Sequence, residues 1–266
     1  MELLGYIASI FMGLSLGMIG GGGSILTVPI LVYLFGINPI LATAYSLFIV
    51  GLTALFGGFG YLKKGEVDLK TGFIFAVPSF IGVYLTRRFV VPSLPDPVFS
   101  IGEMAIGKSL LIMLFFAVLM LAASISMIKA KKTTTPKAPL SPAMKFGLIS
   151  LEGLVVGGVT GFVGAGGGFL IIPALVVLVG MPMKIAVGTS LFIIAAKSLI
   201  GFIGDLQGTA VIDWKLMLTV AAIAIVGLFL GMNLSKKVSE TALKKGFGYF
   251  VLIMGAFILF DQIKRM

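Results

Sequence analysis

GGGGSILTVPIL occupies residues 20–31, and GAGGGFLIIPAL occupies residues 164–175. Each is a cluster of glycines followed by an apolar run that contains a proline. The offset between them is 144 positions, and with that offset residues 20–62 lie on 164–206 without a gap. Of the 43 aligned positions 18 are identical, including Gly20/Gly164, Gly22/Gly166, Gly23/Gly167, Pro29/Pro173, Ser46/Ser190 and Gly57/Gly201. Abundant Leu and Gly yield some matches by chance, but Gly, Pro and Ser coinciding in register point to an internal duplication.

The surroundings of the two stretches set the solvent. Hydrophobic residues make up 59% of the 266-residue chain and charged residues 11%, with a mean hydropathy of +1.16. A soluble domain carries about a quarter of its residues charged, so the chain reads as an integral membrane protein. Apolar segments fall at about 3–19, 24–36, 38–62, 70–86 and 107–128, and again at about 144–163, 168–180, 182–207, 213–234 and 241–261. The first, starting at Met1, lacks a basic leader and a small-residue cleavage site, and reads as a membrane helix. A spanning helix needs about 20 apolar residues. The second segment of each set is shorter, so each is a short or broken element entered through glycines. Residues 1–128 form the first repeat, the basic, Thr- and Pro-rich stretch 129–143 a cytoplasmic linker, and 144–266 the second repeat. The fold class expected is all-α and polytopic, with two inverted repeats of about five helical segments each.

Charge bears on the topology. The net charge of +10 is scattered over short loops without interleaved aromatics, a distribution that fits cytoplasmic retention and not nucleic acid. If all ten segments cross and the linker is cytoplasmic, 13 Lys and Arg lie inside and 6 outside; with re-entrant short segments the count is 11 against 8. The first arrangement is favoured, and an odd number of crossings per repeat makes the repeats inverted. The sequence contains neither Cys nor His. Disulfides, thiolate metal sites, a catalytic cysteine and histidine proton relays are thereby excluded. No nucleophile–base pair stands out, so no enzyme, cofactor or metal is expected. No Gly-Lys-Ser/Thr follows either glycine cluster, which removes a nucleotide P-loop.

Matching broken helices in two inverted halves mark the binding site of many transporters. Gly21, Gly22, Gly23 and Ser24 in one half, and Gly166, Gly167 and Gly168 in the other, would present the free N–H groups of a helix start to an anion. The helices are expected to begin at about Ser24 and Gly168. Close packing of small residues is the competing explanation for such glycines, and it suffices for single ones such as Gly57 and Gly201. Lys197 sits near the middle of an apolar segment, where a charge costs ~2.5–3.5 kcal/mol on insertion scales. It is expected to face inward, to attract the anion or to pair with Glu152 or Asp205, the other alternative being that it snorkels toward the interface. Its repeat mate is Thr53. Tyr45 and Ser46 match Thr189 and Ser190, and their hydroxyls are candidate neutral donors, unless they bond only to their own backbone. Glu152 and Asp205 are the candidates for proton coupling, with a solvated place near the headgroups the alternative for Glu152 and a helix-end cap or loop role the alternative for Asp205. Arg87 and Arg88 end a segment and mark an interface.

The two stretches GGGGSILTVPILVYLFGINPILATAYSLF and GAGGGFLIIPALVVLVGMPMKIAVGTSLFII, with VDLK and VIDWK downstream, resemble the sulfite exporter TauE/SafE family of membrane permeases over nearly the whole chain. The resemblance implies transport of a sulfur-containing anion, such as sulfite or an organosulfonate, across the bacterial inner membrane without ATP. The chain departs from a regular pattern in AYSLF against GTSLF and in a Pro-rich loop at 89–107. The expected partners are thus a small anion, the lipid bilayer and, as coupling ion, protons. Another small solute and a non-transporting assembly subunit remain the alternatives.

Overall fold

A computed structural model describes residues 2–101, 104–129, 142–164, 166–177, 179–206, 212–235 and 240–264. The first half holds α1 (Glu2–Ile19), α2 (Gly21–Leu34), α3 (Pro39–Leu62), α4 (Leu69–Ser93), a hairpin of β1 (Phe99–Ile101) and β2 (Met104–Ile106), and α5 (Lys108–Lys129). The second holds α6 (Pro142–Val163), α7 (Gly168–Val177), α8 (Met183–Leu206), α9 (Trp214–Leu234) and α10 (Glu240–Lys264). Seven of the described helices are long and apolar enough to cross a bilayer, and the chain is an integral membrane protein of all-α polytopic fold. Phe11, Phe73, Val155, Val226 and Phe260 stand exposed on its outside, a belt that suits hydrocarbon and not water. Most of the linker expected at 129–143 lies outside the described residues.

The helix starts follow from capping. Asn38 accepts the N–H of Ile40 at 2.9 Å, with Pro39 in the first helical position of α3. Asp68 accepts the Thr71 N–H at 3.0 Å and Asp213 the Leu216 N–H at 2.9 Å, opening α4 and α9. Such side chains satisfy donors that a helix start leaves without an acceptor.

Four points differ from the sequence expectation. The first broken helix begins at Gly21 and not at Ser24, because Gly21–Leu26 winds as a tight 3₁₀ helix before one α turn at Thr27–Pro29 and a wide π turn at Ile30–Leu34. Pro29, which has no N–H to give, sits where the bonding pattern changes. α4 does not end at residue 86. It continues to Ser93 through a π turn at Thr86–Val90, in which the Val91 N–H reaches back to the Thr86 carbonyl. Arg87 therefore does not mark an interface: it is 2% exposed, while Arg88 beside it is exposed. The Pro-rich loop carries a two-stranded antiparallel hairpin with Ser100 opposite Ala105, a small exception to the all-helical expectation.

Packing runs between the halves. α3 and α8 are the most enclosed spans, 67% and 72% buried over their apolar windows against at most 44% for the other five. They cross antiparallel, since Gly51 lies against Leu199 and Gly58 against Phe192. Two parallel pairs flank them. In one, Gly13 and Gly17 of α1 abut the backbone of Ala224 and Leu228 in α9. In the other, Gly153 and Gly157 of α6 abut the backbone of Phe75 and Ser79 in α4. Small residues four apart allow this approach in lipid, where helices gain little from the hydrophobic effect. Gly57 against Leu191 and Gly201 against Val83 serve packing in the same way.

Candidate functional site

The glycine clusters of the two halves meet at the centre. A Cβ on Gly21 would overlap the Gly168 Cα, and one on Gly168 would overlap Gly21 in return. Gly166 faces Ser24, whose Cβ would stand 3.2 Å from an added methyl group. Gly20 and Gly164, which enter the two broken helices, have φ of 72° and 74°. That left-handed backbone strains any residue with a side chain. Gly20 leans on Val187 and Ser190 of α8, and Gly164 on Thr43 of α3, so each turn rests on the central helix of the other half. Residues 20 to 31 are all buried.

Lys197 reaches this junction. Its side chain is fully buried, and a methyl group on Gly167 would lie 2.8 Å from the Nζ. The Nζ donates to Thr160 Oγ1 of α6 at 2.7 Å, and Thr160 Oγ1 donates to the Gly157 carbonyl at 3.2 Å. Neither sequence-expected carboxylate pairs with it. Asp205 sits by Arg87, with 3.4 Å from Nε to Oδ2, and Glu152 has a buried Oε2 with no hydrogen-bond partner among the described residues. Among the described residues Lys197 has no carboxylate partner. Thr160 was missed from sequence, since a lone Thr in an apolar helix usually bonds its own backbone.

The hydroxyls divide by what they do. Ser24 donates to Gly21 O at 2.7 Å, Thr53 to Ile49 O at 2.7 Å and Ser190 to Val187 O at 2.8 Å. Their protons are thus committed to their own helices, which removes Ser24, Thr53 and Ser190 as donors to a ligand in this conformation. Ser46 Oγ is buried with no hydrogen-bond partner among the described residues. Tyr45 Oη accepts the Asp213 N–H at 2.6 Å and Thr189 Oγ1 accepts the Asp68 N–H at 2.9 Å. A hydroxyl that accepts in this way still has its own proton to give.

Two openings lie at opposite ends of the antiparallel α3–α8 pair. One, of about 370 Å³, is lined by Gly65, Val67, Asp68, Met181, Pro182 and Ile185, where α3 ends and α8 begins. The other, of about 410 Å³, is lined by Asn38, Tyr45, Arg87, Lys108, Phe202 and Asp205 among others, where α3 begins and α8 ends. Tyr45 thus stands at an end of the pair and not with Lys197 among the residues around Gly167.

The comparisons agree with this architecture. Residues 5–258 match the sulfite exporter TauE/SafE family. A probable membrane transporter protein of Xylella fastidiosa is 31% identical, covering 93% of this chain and 90% of its own length. The probable membrane transporter protein YunE of Bacillus subtilis is 27% identical, covering 98% and 99%. The probable membrane transporter protein MJ0441 of Methanocaldococcus jannaschii is 26% identical, covering 95% and 93%. No solved structure matches the chain. A match that spans nearly the whole chain, on a fold of membrane helices broken at paired glycine turns, settles the class: the chain is a membrane transporter and belongs to the sulfite exporter TauE/SafE family.

Proposed function

We propose that the protein is a secondary transporter that moves a small sulfur-containing oxyanion, such as sulfite or an organosulfonate, across the inner membrane by alternating access. The observation that carries this reading is Lys197: a fully buried amino group with a hydroxyl and, among the described residues, no carboxylate beside it, set against the Gly167 turn. A buried charge needs a partner, and a bound anion supplies one. The turns at Gly21, Gly22 and Gly23 and at Gly166, Gly167 and Gly168 add first-turn amides that favour negative charge without a further basic side chain. Packing explains the contact of Gly21 with Gly168, but it does not explain a lysine placed beside it.

The halves 1–128 and 144–266 act as inverted repeats joined by a cytoplasmic linker. The antiparallel crossing of their equivalent helices, α3 and α8, supports the inversion. Openings at both ends of that pair suit a site reached from each side in turn. The substrate class comes from the family name and from the charge at Lys197. Protons are the proposed coupling ion. Among the described residues Glu152 and Asp205 each have a buried carboxylate oxygen without a hydrogen bond, but Asp205 faces the Arg87 guanidinium at 3.4 Å while Glu152 has no ion pair, which makes Glu152 the better proton carrier. No nucleotide motif calls for ATP, and transport without catalysis needs no nucleophile.

A thermal-shift screen of detergent-purified protein against sulfite, sulfate, thiosulfate, sulfoacetate and phosphate tests the substrate class. A ligand that binds only the folded form raises the melting temperature. Stabilisation by one or more of the sulfur anions is expected. No response to any of them, with a response to a cation or a neutral solute, would reject the class.

A further inference from the structure

We propose a second oxyanion-binding site, separate from the Lys197 junction, in the cavity at the end of the central pair where α3 begins. The ligand is a small oxyanion such as a sulfonate or sulfite, and Arg87 is its principal donor. The inference rests on the reading that the cargo is an oxyanion, and it adds a staging position on the way to the central turns.

The geometry starts with the π turn at Thr86–Val90, which carries Arg87 in the last part of α4. Gly204 of α8 leaves room for it: a methyl group there would stand 3.3 Å from the Arg87 Cβ. The guanidinium is then enclosed, 2% exposed, and touches Asp205 through one long contact of 3.4 Å from Nε to Oδ2. Nε, Nη1 and Nη2 all lack a hydrogen-bond partner among the described residues. A planar guanidinium matches the oxygens of a carboxylate, phosphate or sulfonate with two parallel N–H groups. Asp205, engaged at Nε, does not occupy the Nη fork. A buried group with unmet donors is costly, and Arg87 is one of the residues around a cavity of about 410 Å³, so a shift of its side chain would bring the fork to a ligand there.

The rest of the cavity wall suits the same ligand. Lys108, at the start of α5, adds positive charge, and among the described residues its Nζ has only a 3.4 Å contact to the Pro92 carbonyl. Tyr45 accepts from the Asp213 amide and keeps its own proton to donate. Asn38 stands at the same wall. Among the described lining residues, Arg87 and Lys108 against Asp205 leave one net positive charge, with Asp96 and Asp213 adjoining the wall at Lys108 and Tyr45. Asp205, which lines the same cavity, contacts the guanidinium at Nε. Its role is therefore positioning, and it is not a proton carrier.

Calorimetric titration of the full-length protein in detergent with sulfite, sulfate, thiosulfate and sulfoacetate, each alone, tests the site. Two binding events are expected for at least one of these anions. Lys197→Met should leave only the Arg87 event. Arg87→Gln with Asp205→Asn, which removes both charges together and strands neither, should leave the Lys197 event unchanged and weaken the other about tenfold or more. Lys108→Gln, on the open wall, should weaken the Arg87 event at low salt and much less at high salt. It serves if the double variant does not fold. A single event in the wild type, loss of all binding in Lys197→Met, or unchanged binding in both Arg87/Asp205 and Lys108 variants overturns the second site. Unchanged binding in Lys197→Met, with loss in the Arg87/Asp205 variant, instead overturns the central one.

Discussion

Tyr45 of α3 accepts the backbone N–H of Asp213, the residue that caps α9, at 2.6 Å. Its counterpart in the other half does the same in reverse: Thr189 of α8 accepts the N–H of Asp68, the cap of α4, at 2.9 Å. Each hydroxyl sits at the same place in its repeat, and each reaches a helix start that belongs to the other repeat. These two bonds tie the central pair to the flanking helices at opposite ends, so they are natural places for the halves to be held or released.

Tyr45→Phe and Thr189→Val each leave a part-buried amide without its acceptor. Each should destabilise the protein by about 1–2 kcal/mol. A fluorescence-monitored thermal melt in detergent measures this. Melting points equal to the wild type would show that water replaces the hydroxyl at no cost.

Gly21 and Gly168 touch backbone to backbone, so Gly21→Ala and Gly168→Ala should each abolish transport or folding. Gly147→Ala is the matched control, since nothing lies within 4 Å of an added methyl group there and alanine favours a helix over glycine by roughly 1 kcal/mol. Expression and uptake of the three variants side by side decide this. An active Gly21→Ala would mean that the two turns stand further apart in the membrane.

Thr160 holds Lys197 in place. Thr160→Val removes the hydroxyl partner, leaves the ammonium more in need of an anion and lets it swing from the Gly167 turn. KM for the anion should change severalfold, about 1 kcal/mol in binding, while Thr160→Ser should restore it. Initial uptake rates over a range of substrate concentrations measure this, and a KM unchanged in Thr160→Val would remove Thr160 from the site.

Much of this was legible in the sequence, and the failures have physical causes. The helices α3 and α8 could be read because two equal apolar runs start at matching positions and share Gly, Leu and Ser in register. Lys197 could be read because a lone charge in such a run has few innocent explanations. Its partner Thr160 could not, because the contact joins residues 37 apart and the hydroxyl of a membrane threonine has a default acceptor in its own helix. Arg87 misled because a pair of arginines at the end of an apolar run looks like a headgroup marker, and a π turn that changes which residue faces inward leaves little trace in the pattern. Asp68 and Asp213 carried a readable signal: each directly precedes an apolar run, the place for a helix cap. What no local pattern held was the exchange of their amides between halves.

Glu152→Gln separates coupling from binding. If Glu152 carries the proton, the variant should lose uptake driven by a pH gradient but keep exchange of labelled for unlabelled anion across the membrane. Both assays run on the same proteoliposomes. Gradient-driven uptake at the wild-type rate would clear Glu152 of that role.

The most direct measurement is anion transport by Lys197→Met beside the wild type, in proteoliposomes loaded with whichever sulfur anion most raises the melting temperature. Removal of the buried ammonium should abolish uptake or reduce it at least tenfold, with the protein still monodisperse, as expected for loss of a charge-assisted contact of about 1.5–3 kcal/mol. Uptake and affinity equal to the wild type would contradict the claim that Lys197 and the paired glycine turns hold the anion.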